Sequence, residues 1–274
     1  IGGTTDTVRI SESYTLPIAD GTANQVLTTD GAGAVTFATA GGGSPTLYAE
    51  NPSSPTAPSA TGGNAVAIGS GASATNLYAI SIGRNTTATG IYALSLNGNA
   101  TPTYSAAIGY SSSGARATTA TGQGSHAFGG SYASGTDSFA AAIANNTSSY
   151  GATGSNSVAI GQQAKATSVW STAIGFACQS SHVSAVAIGN QNTASQSYSV
   201  ALGRQSVADK VGKFAFASYS LASVGQSQTG MMVLVSSTTD ATPKALTTDN
   251  SGASTTNQVI LPNNSAYFFS GTII

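Results

Sequence analysis

Few side chains in this sequence can do covalent chemistry. Between residues 64 and 208 the only carboxylate is Asp137. Glycoside hydrolysis ordinarily uses two carboxyl groups about 5–10 Å apart, so a pair could arise only between chains or with a flanking segment. Serines abound, yet neither histidine has an acid close to it in sequence, and no Gly-x-Ser-x-Gly elbow is present. Two histidines and one cysteine cannot build a zinc site within one chain. No Gly-x4-Gly-Lys-Ser/Thr loop is present to cradle a phosphate. The chain is therefore read as a non-enzyme with no cofactor and no metal. His126 is expected inside the fold or on an oligomer axis, where three copies could gather around an ion or water. His182 is expected solvated in a turn and Cys178 buried as an inert thiol; a lone cysteine allows no intrachain disulfide.

Binding chemistry is better represented. A motif of the form small–apolar–Ala/Ser–Ile/Leu–Gly recurs, as in Ser157-Val-Ala-Ile-Gly161 and Ser171-Thr-Ala-Ile-Gly175, and its closing residue serves as an anchor. Five residues before the anchor stand Tyr78, Tyr92, Tyr104, Phe139, Trp170 and Tyr198, with Asn64, Asn156, Ser184 and Gly212 in other copies. If successive copies stack at about 4.8 Å, Tyr78, Tyr92 and Tyr104 form a ladder. Such a ladder either stiffens an edge, at about 0.5–1.5 kcal/mol per pair, or offers flat faces to sugars.

The elements that must position these residues follow from the anchors: Gly69, Gly83, Asn97, Gly109, Gly129, Ala144, Gly161, Gly175, Gly189, Gly203 and Ala217. Their spacings are 14, 14, 12, 20, 15, 17, 14, 14, 14 and 14. A period this constant marks a solenoid, and fourteen residues suit one coil with two short strands. In each copy the residues one and three before the anchor are bulky and apolar, and those two and four before it are small. Strand alternation sends the two sets to opposite faces. The bulky set is expected to fill the coil, leaving an all-small outer face for close packing of three copies about an axis. The anchor glycine is expected in the turn between strands, where a positive φ or tight packing excludes a Cβ.

Extra residues in a solenoid leave the stack as loops. Residues 110–125 and 145–156 are the expected loops. They carry the candidate receptor contacts Tyr110, Arg116, Gln123, Asn145, Asn146 and Tyr150, a mix of planar hydrogen-bonding groups and aromatic faces suited to carbohydrate.

Composition narrows the partners. Of 274 residues only 6% are charged, and the formal net charge is −1. Eight Lys+Arg scattered from Arg9 to Lys244 make no basic stripe, so nucleic acid is excluded. The longest apolar runs reach about five residues, as at 231–235, far short of the roughly 20 that a membrane helix needs. Four segments are expected: a β-hairpin module over 1–40, a Gly/Pro-rich connector over 41–63, the repeats over 64–217, and a β module over 218–274. Asp20-Gly21 and Asp30-Gly31 are hairpin signals. The chain begins at Ile1 rather than Met and is expected to be a fragment or processed form. A continuation beyond Ile274 is also expected.

The copies from Asn156-Ser-Val-Ala-Ile-Gly161 to Ala201-Leu-Gly203 resemble the head repeat of YadA-like trimeric autotransporter adhesins. That resemblance implies an all-β, left-handed parallel β-roll solenoid of about 14 residues per coil, trimeric, here flanked by small antiparallel modules. Residues 14–37 are similar to a repeat of tailed-bacteriophage tail fibres, and 231–274 to a C-terminal module of phage fibres. Together the resemblances imply a phage tail-fibre segment in the virion. It would attach to or support attachment to the host surface, as a homotrimer beside other virion tail proteins and with host glycan as a candidate ligand. The head of a bacterial cell-surface adhesin and a polysaccharide-degrading tailspike are the alternatives.

Overall fold

The computed structural model describes residues 9–10, 14–15, 17, 22, 25–29, 32, 34–39, 56–110, 117–143, 149–220, 222–261, 266, 268, 270 and 271. The chain divides into two units, residues 1–49 and 50–274. Among the described residues every regular element is a strand.

The first unit holds two antiparallel pairs. Gln25–Thr29 pairs antiparallel with Val35–Thr39, Thr29 opposite Val35, so the β-prone runs on either side of Asp30-Gly31 pair with each other as expected. Across Asp20-Gly21 the outcome differs. Tyr14–Thr15 pairs with Arg9–Ile10, and Gln25–Thr29 pairs with Val35–Thr39 instead.

The second unit is a parallel β-solenoid of about eleven coils. Each coil gives a longer strand such as Val158–Ile160 and a two-residue strand such as Lys165–Ala166. Longer strands stack into one sheet of 12, counting a final antiparallel member, and short strands into a sheet of 11. At about 4.8 Å per coil the roll is about 50 Å long.

Register corrects one anchor. Phe139–Ala141 pairs with His126–Phe128 and with Val158–Ile160, which puts the anchor at Ala142, φ 55°, and not at Ala144. With that change the length variation becomes systematic. From the end of each short strand to the start of the next longer strand the step is six residues in every coil, from Ala60→Val66 to Ala208→Phe214. The other corner absorbs all the variation. Counted from the third residue of each longer strand, the step there is 5 residues in regular coils, 3 after Leu96, 11 after Ile108, 4 after Phe128 and 10 after Ala141.

The constant corner is a four-residue turn. Ala79 N–H donates to Asn76 O at 3.1 Å, and Ala93 repeats this to Gly90 O at 3.2 Å. The third residue of each turn is left-handed, the conformation a type II turn requires. In most turns closed by serine the hydroxyl also bonds the first carbonyl, as Ser157 Oγ does to Gly154 O at 2.6 Å and Ser199 Oγ to Gln196 O at 2.6 Å, whereas Ser138 Oγ donates to Ala152 O. At the variable corner of the regular coils the anchor glycines Gly69, Gly83, Gly161, Gly175, Gly189 and Gly203 have φ of 93–127°. A Cβ at Gly175 would strike the carbonyl oxygen of Gly189, so both conformation and stacking demand glycine there.

The two strand faces are assigned opposite to expectation. Small residues fill the coil: Ala159, Ala173, Ala187 and Ala201 on the longer strands, and Ala166, Ala194 and Ala208 on the short ones, are fully buried. The bulky set faces outward, with Val66, Ile80, Ile82 and Ile188 at 36–38% exposure. A regular coil of two short strands is filled by side chains of about this size; Ile143, fully buried in the same core, lies in the irregular coil after Ala141. His126 belongs to the outward set and is exposed, which corrects the interior placement. Cys178 is buried as expected, and burial pushes its thiol pKa up.

Larger polar groups inside the coil are tied down. Asn192 is fully buried. Its Nδ2 donates to Ile188 O and to Gly203 O, both at 2.7 Å, and its Oδ1 accepts from Ser206 N and Ser206 Oγ, both at 2.9 Å. One amide thereby staples two coils.

The C-terminal end of the roll is capped. Thr229–Met231 lies antiparallel on Phe214–Ala217. Gln228 covers the edge of the short-strand sheet. Beyond it Val235 and Thr247 exchange both backbone hydrogen bonds, at 2.7 and 3.1 Å. Asn257 Nδ2 gathers Asp249 Oδ1, Ser251 Oγ and Gly252 O at 2.8–2.9 Å.

Candidate binding surface

The left-handed position of the constant corner forms a column along the roll: Asn64, Tyr78, Tyr92, Tyr104, Gly124, Asp137, Asn156, Trp170, Ser184, Tyr198 and Gly212, all at φ of 51–66°. Each N–H in the column donates to the preceding coil, as Tyr92 does to Leu77 O, Tyr104 to Ile91 O and Tyr198 to Val183 O, at 2.9–3.0 Å. Phe139 is not in this column. The register puts Asp137 there, and Phe139 lies on the outer sheet face, with its ring tilted 38° against Phe128 at 5.6 Å.

Gly, Asn and Asp tolerate left-handed backbone, whereas a bulky residue there costs about 1–2 kcal/mol. Five aromatics nevertheless occupy it. Tyr78 and Tyr92 stack at 4.8 Å with 15° between planes, and Tyr92 and Tyr104 at 5.6 Å with 10°, so stacking offsets the strain for three of them. Trp170 and Tyr198 are flanked in the column by Asn156, Ser184 and Gly212 and are 60% and 64% exposed.

The candidate contact residues are dispersed. Tyr110 opens the long variable-corner segment after Ile108 and is exposed. Tyr150 closes the segment after Ala141, half-buried against the alanine core. Gln123 lies in the constant corner on the other side of the coil, not in an insertion, and residues 119–120 and 151–152 are already strand. The insertions are therefore narrower than 110–125 and 145–156. Arg116, Asn145 and Asn146 lie outside the described residues. His182 is exposed in a constant corner, with Ser181 Oγ 3.3 Å from its Nδ1.

The structure also gathers a group that spacing alone did not. A shallow cleft of about 550 Å3 is lined by Tyr104, Gln123, Gly124, His126, Thr136 and Asp137. The misplaced anchor hid it in part: Gly124 already stood five residues before Gly129, but only the corrected frame brings Asp137 into the tyrosine column. Among the described residues, no group of three or more His, Cys, Asp and Glu is placed to hold a metal. Nor is any helix long and apolar enough to cross a membrane.

A parallel two-sheet solenoid with an alanine interior, an outward Val/Ile stripe and a corner column of aromatics defines the architecture. Residues 60–86, 74–96, 152–177 and 183–206 match the family model for the YadA head domain repeat. The matched segments coincide with the regular coils and omit 97–151, where the variable corner departs most from 14-residue spacing. This part of the chain is similar to an adhesin head. No curated protein matches the chain.

Proposed function

We propose that the chain is a non-enzymatic attachment segment of a surface-exposed fibrous protein, built as a parallel homotrimer, and that its roll works as an adhesin head. The similarity of its regular coils to YadA head repeats is the observation that carries this reading and favours a bacterial cell surface. The outward stripe supports the trimer. A mostly apolar row of Val, Ile, Leu and Phe along about eleven coils, interrupted at His126 and Thr172, is a surface that two further copies would cover. The isolation of Asp137 from other carboxylates in the roll supports binding over hydrolysis. A phage tail fibre in the virion, beside other tail proteins, is the second reading. The resemblance of residues 14–37 and 231–274 to fibre modules favours it.

The test is adsorption of a fluorescently labelled chain to intact cells of a bacterial and animal panel. Saturable adsorption without loss of surface polysaccharide supports attachment. Release of reducing sugar from the cells would overturn the non-enzymatic reading. An N-terminal secretion signal and C-terminal membrane anchor in the full reading frame would decide for the adhesin.

A further inference from the structure

The tyrosine ladder ends where the column loses its side chain. Beyond Tyr104 the next coil supplies Gly124, so the ring face turned away from Tyr92 opens on the cleft. Tyr104 is 58% exposed, and its opposite face is covered by Tyr92. Its backbone is held by the hydrogen bond to Ile91 O at 2.9 Å, and Gly124 and Asp137 are held by bonds to Thr103 O at 3.0 Å and Gln123 O at 2.8 Å. A Cβ on residue 124 would land on Asp137 Oδ1, so the carboxylate leans into the space left by the missing side chain.

Among the described residues the Asp137 carboxylate makes no ion pair or internal hydrogen bond, and the Gln123 amide makes none. The cleft thus presents one flat aromatic face, a carboxylate with both oxygens free to accept, and a planar amide that donates and accepts. No Lys or Arg lines it.

We propose that this cleft binds a neutral pyranose. The apolar C–H face of the sugar lies on Tyr104, two adjacent hydroxyls donate to the Asp137 carboxylate, and Gln123 bonds a third. The unpaired carboxylate selects against uronic and sialic acids, because a second negative charge there has no Lys or Arg in the lining to balance it. Stacking on Tyr92 fixes the platform before the sugar arrives, which lowers the ordering cost of binding. Copies of the site in an oligomer would raise avidity without new contacts. The inference names the ligand class for the attachment reading and rests on that reading for its biological role; the binding chemistry stands separately.

Saturation-transfer NMR and shift titration of the whole chain test it, with methyl β-D-galactopyranoside and methyl β-D-glucopyranoside as probes. Methyl β-D-glucuronoside is the anionic counterpart. At least one neutral glycoside is expected to bind, and the glucuronoside more weakly. Tyr104→Ala should weaken the neutral sugar about tenfold, the order of a lost stacking face. Asp137→Asn should weaken it about tenfold or more and narrow the gap to the glucuronoside, a charge signature that a merely structural role would not produce. Asp240→Asn, an exposed carboxylate outside the roll, should leave affinity unchanged, and far-UV circular dichroism checks folding of all three. Should Tyr104→Ala fail to fold, Asp137→Asn carries the test. No transfer to any probe, or transfer that Asp137→Asn leaves unaltered, overturns the proposal. Cell adsorption is measured alongside. Adsorption unchanged in Asp137→Asn overturns the role of this cleft while sparing attachment, whereas glycoside binding without adsorption spares the cleft and overturns attachment.

Discussion

Gln228 completes the roll by imitating a strand at Val207. Its Oε1 accepts from Val207 N at 2.7 Å and its Nε2 donates to Val207 O at 3.0 Å, so one side-chain amide occupies both hydrogen-bonding groups of the last short strand. An open sheet edge is a template for pairing with another chain, and solenoids need such caps. Gln228→Ala should lower the melting temperature of the final coil and increase self-association with concentration, read by hydrogen exchange at Val207 and by light scattering. Unchanged exchange at Val207 would contradict the capping role.

The assignment of faces predicts opposite outcomes at adjacent residues. Ala187→Leu places a larger side chain inside a filled coil and should destabilise by about 1–3 kcal/mol or more. Ile188→Ser alters only the outer stripe. It should leave coil stability nearly intact and weaken association between chains. Urea titration followed by circular dichroism, with sedimentation of both variants, separates the two effects.

Asn192 tests whether a satisfied polar group can be essential inside an alanine core. Asn192→Ala strands Ile188 O, Gly203 O and Ser206 N without their partner, at about 1–3 kcal/mol per buried group before relaxation. The denaturation midpoint should fall clearly, with loss of amide protection at Ser206 before that in distant coils.

Asp209 gives the end of the roll a pH dependence. Burial raises its pKa, but hydrogen bonds from Lys210 at 2.7 Å and Lys213 at 2.8 Å outweigh this, and the carboxyl sits below its ordinary value. A depressed folded-state pKa stabilises the fold above the unfolded value of about 3.9 and is lost as pH falls through the folded value. The melting temperature should therefore drop more steeply below about pH 4 in the wild type than in Asp209→Asn. Parallel curves would show that the pair contributes nothing.

Much of this architecture was legible from spacing, because one coil repeats with its anchor glycines at a forced positive φ. The faces were misread because burial was equated with bulk. In a regular 14-residue coil the lumen is filled by alanine and serine, so the hydrophobic rule inverts; Ile143 is buried where the coil after Ala141 departs from that spacing. The site was partly legible. Tyr78, Tyr92 and Tyr104 share a column at constant offset from their anchors. Gly124 stands at the same offset before Gly129, but Asp137 escaped notice because Ala140-Ala-Ala-Ile-Ala144 offers two frames, and only the pairing of Ala141 with Phe128 and Ile160 selects the right one. Gln228 lies 21 residues from Val207 in a segment without periodicity, and no local signal announces that pairing.

The central claim, a parallel assembly covering the outward Val/Ile stripe, is tested most directly by sedimentation equilibrium of the intact chain beside Ile188→Ser. A mass three times the chain's 26.8 kDa, shifting toward the monomer in the variant, is the predicted result. A stable monomer at high micromolar concentration, or a trimer indifferent to the change at Ile188, would contradict it.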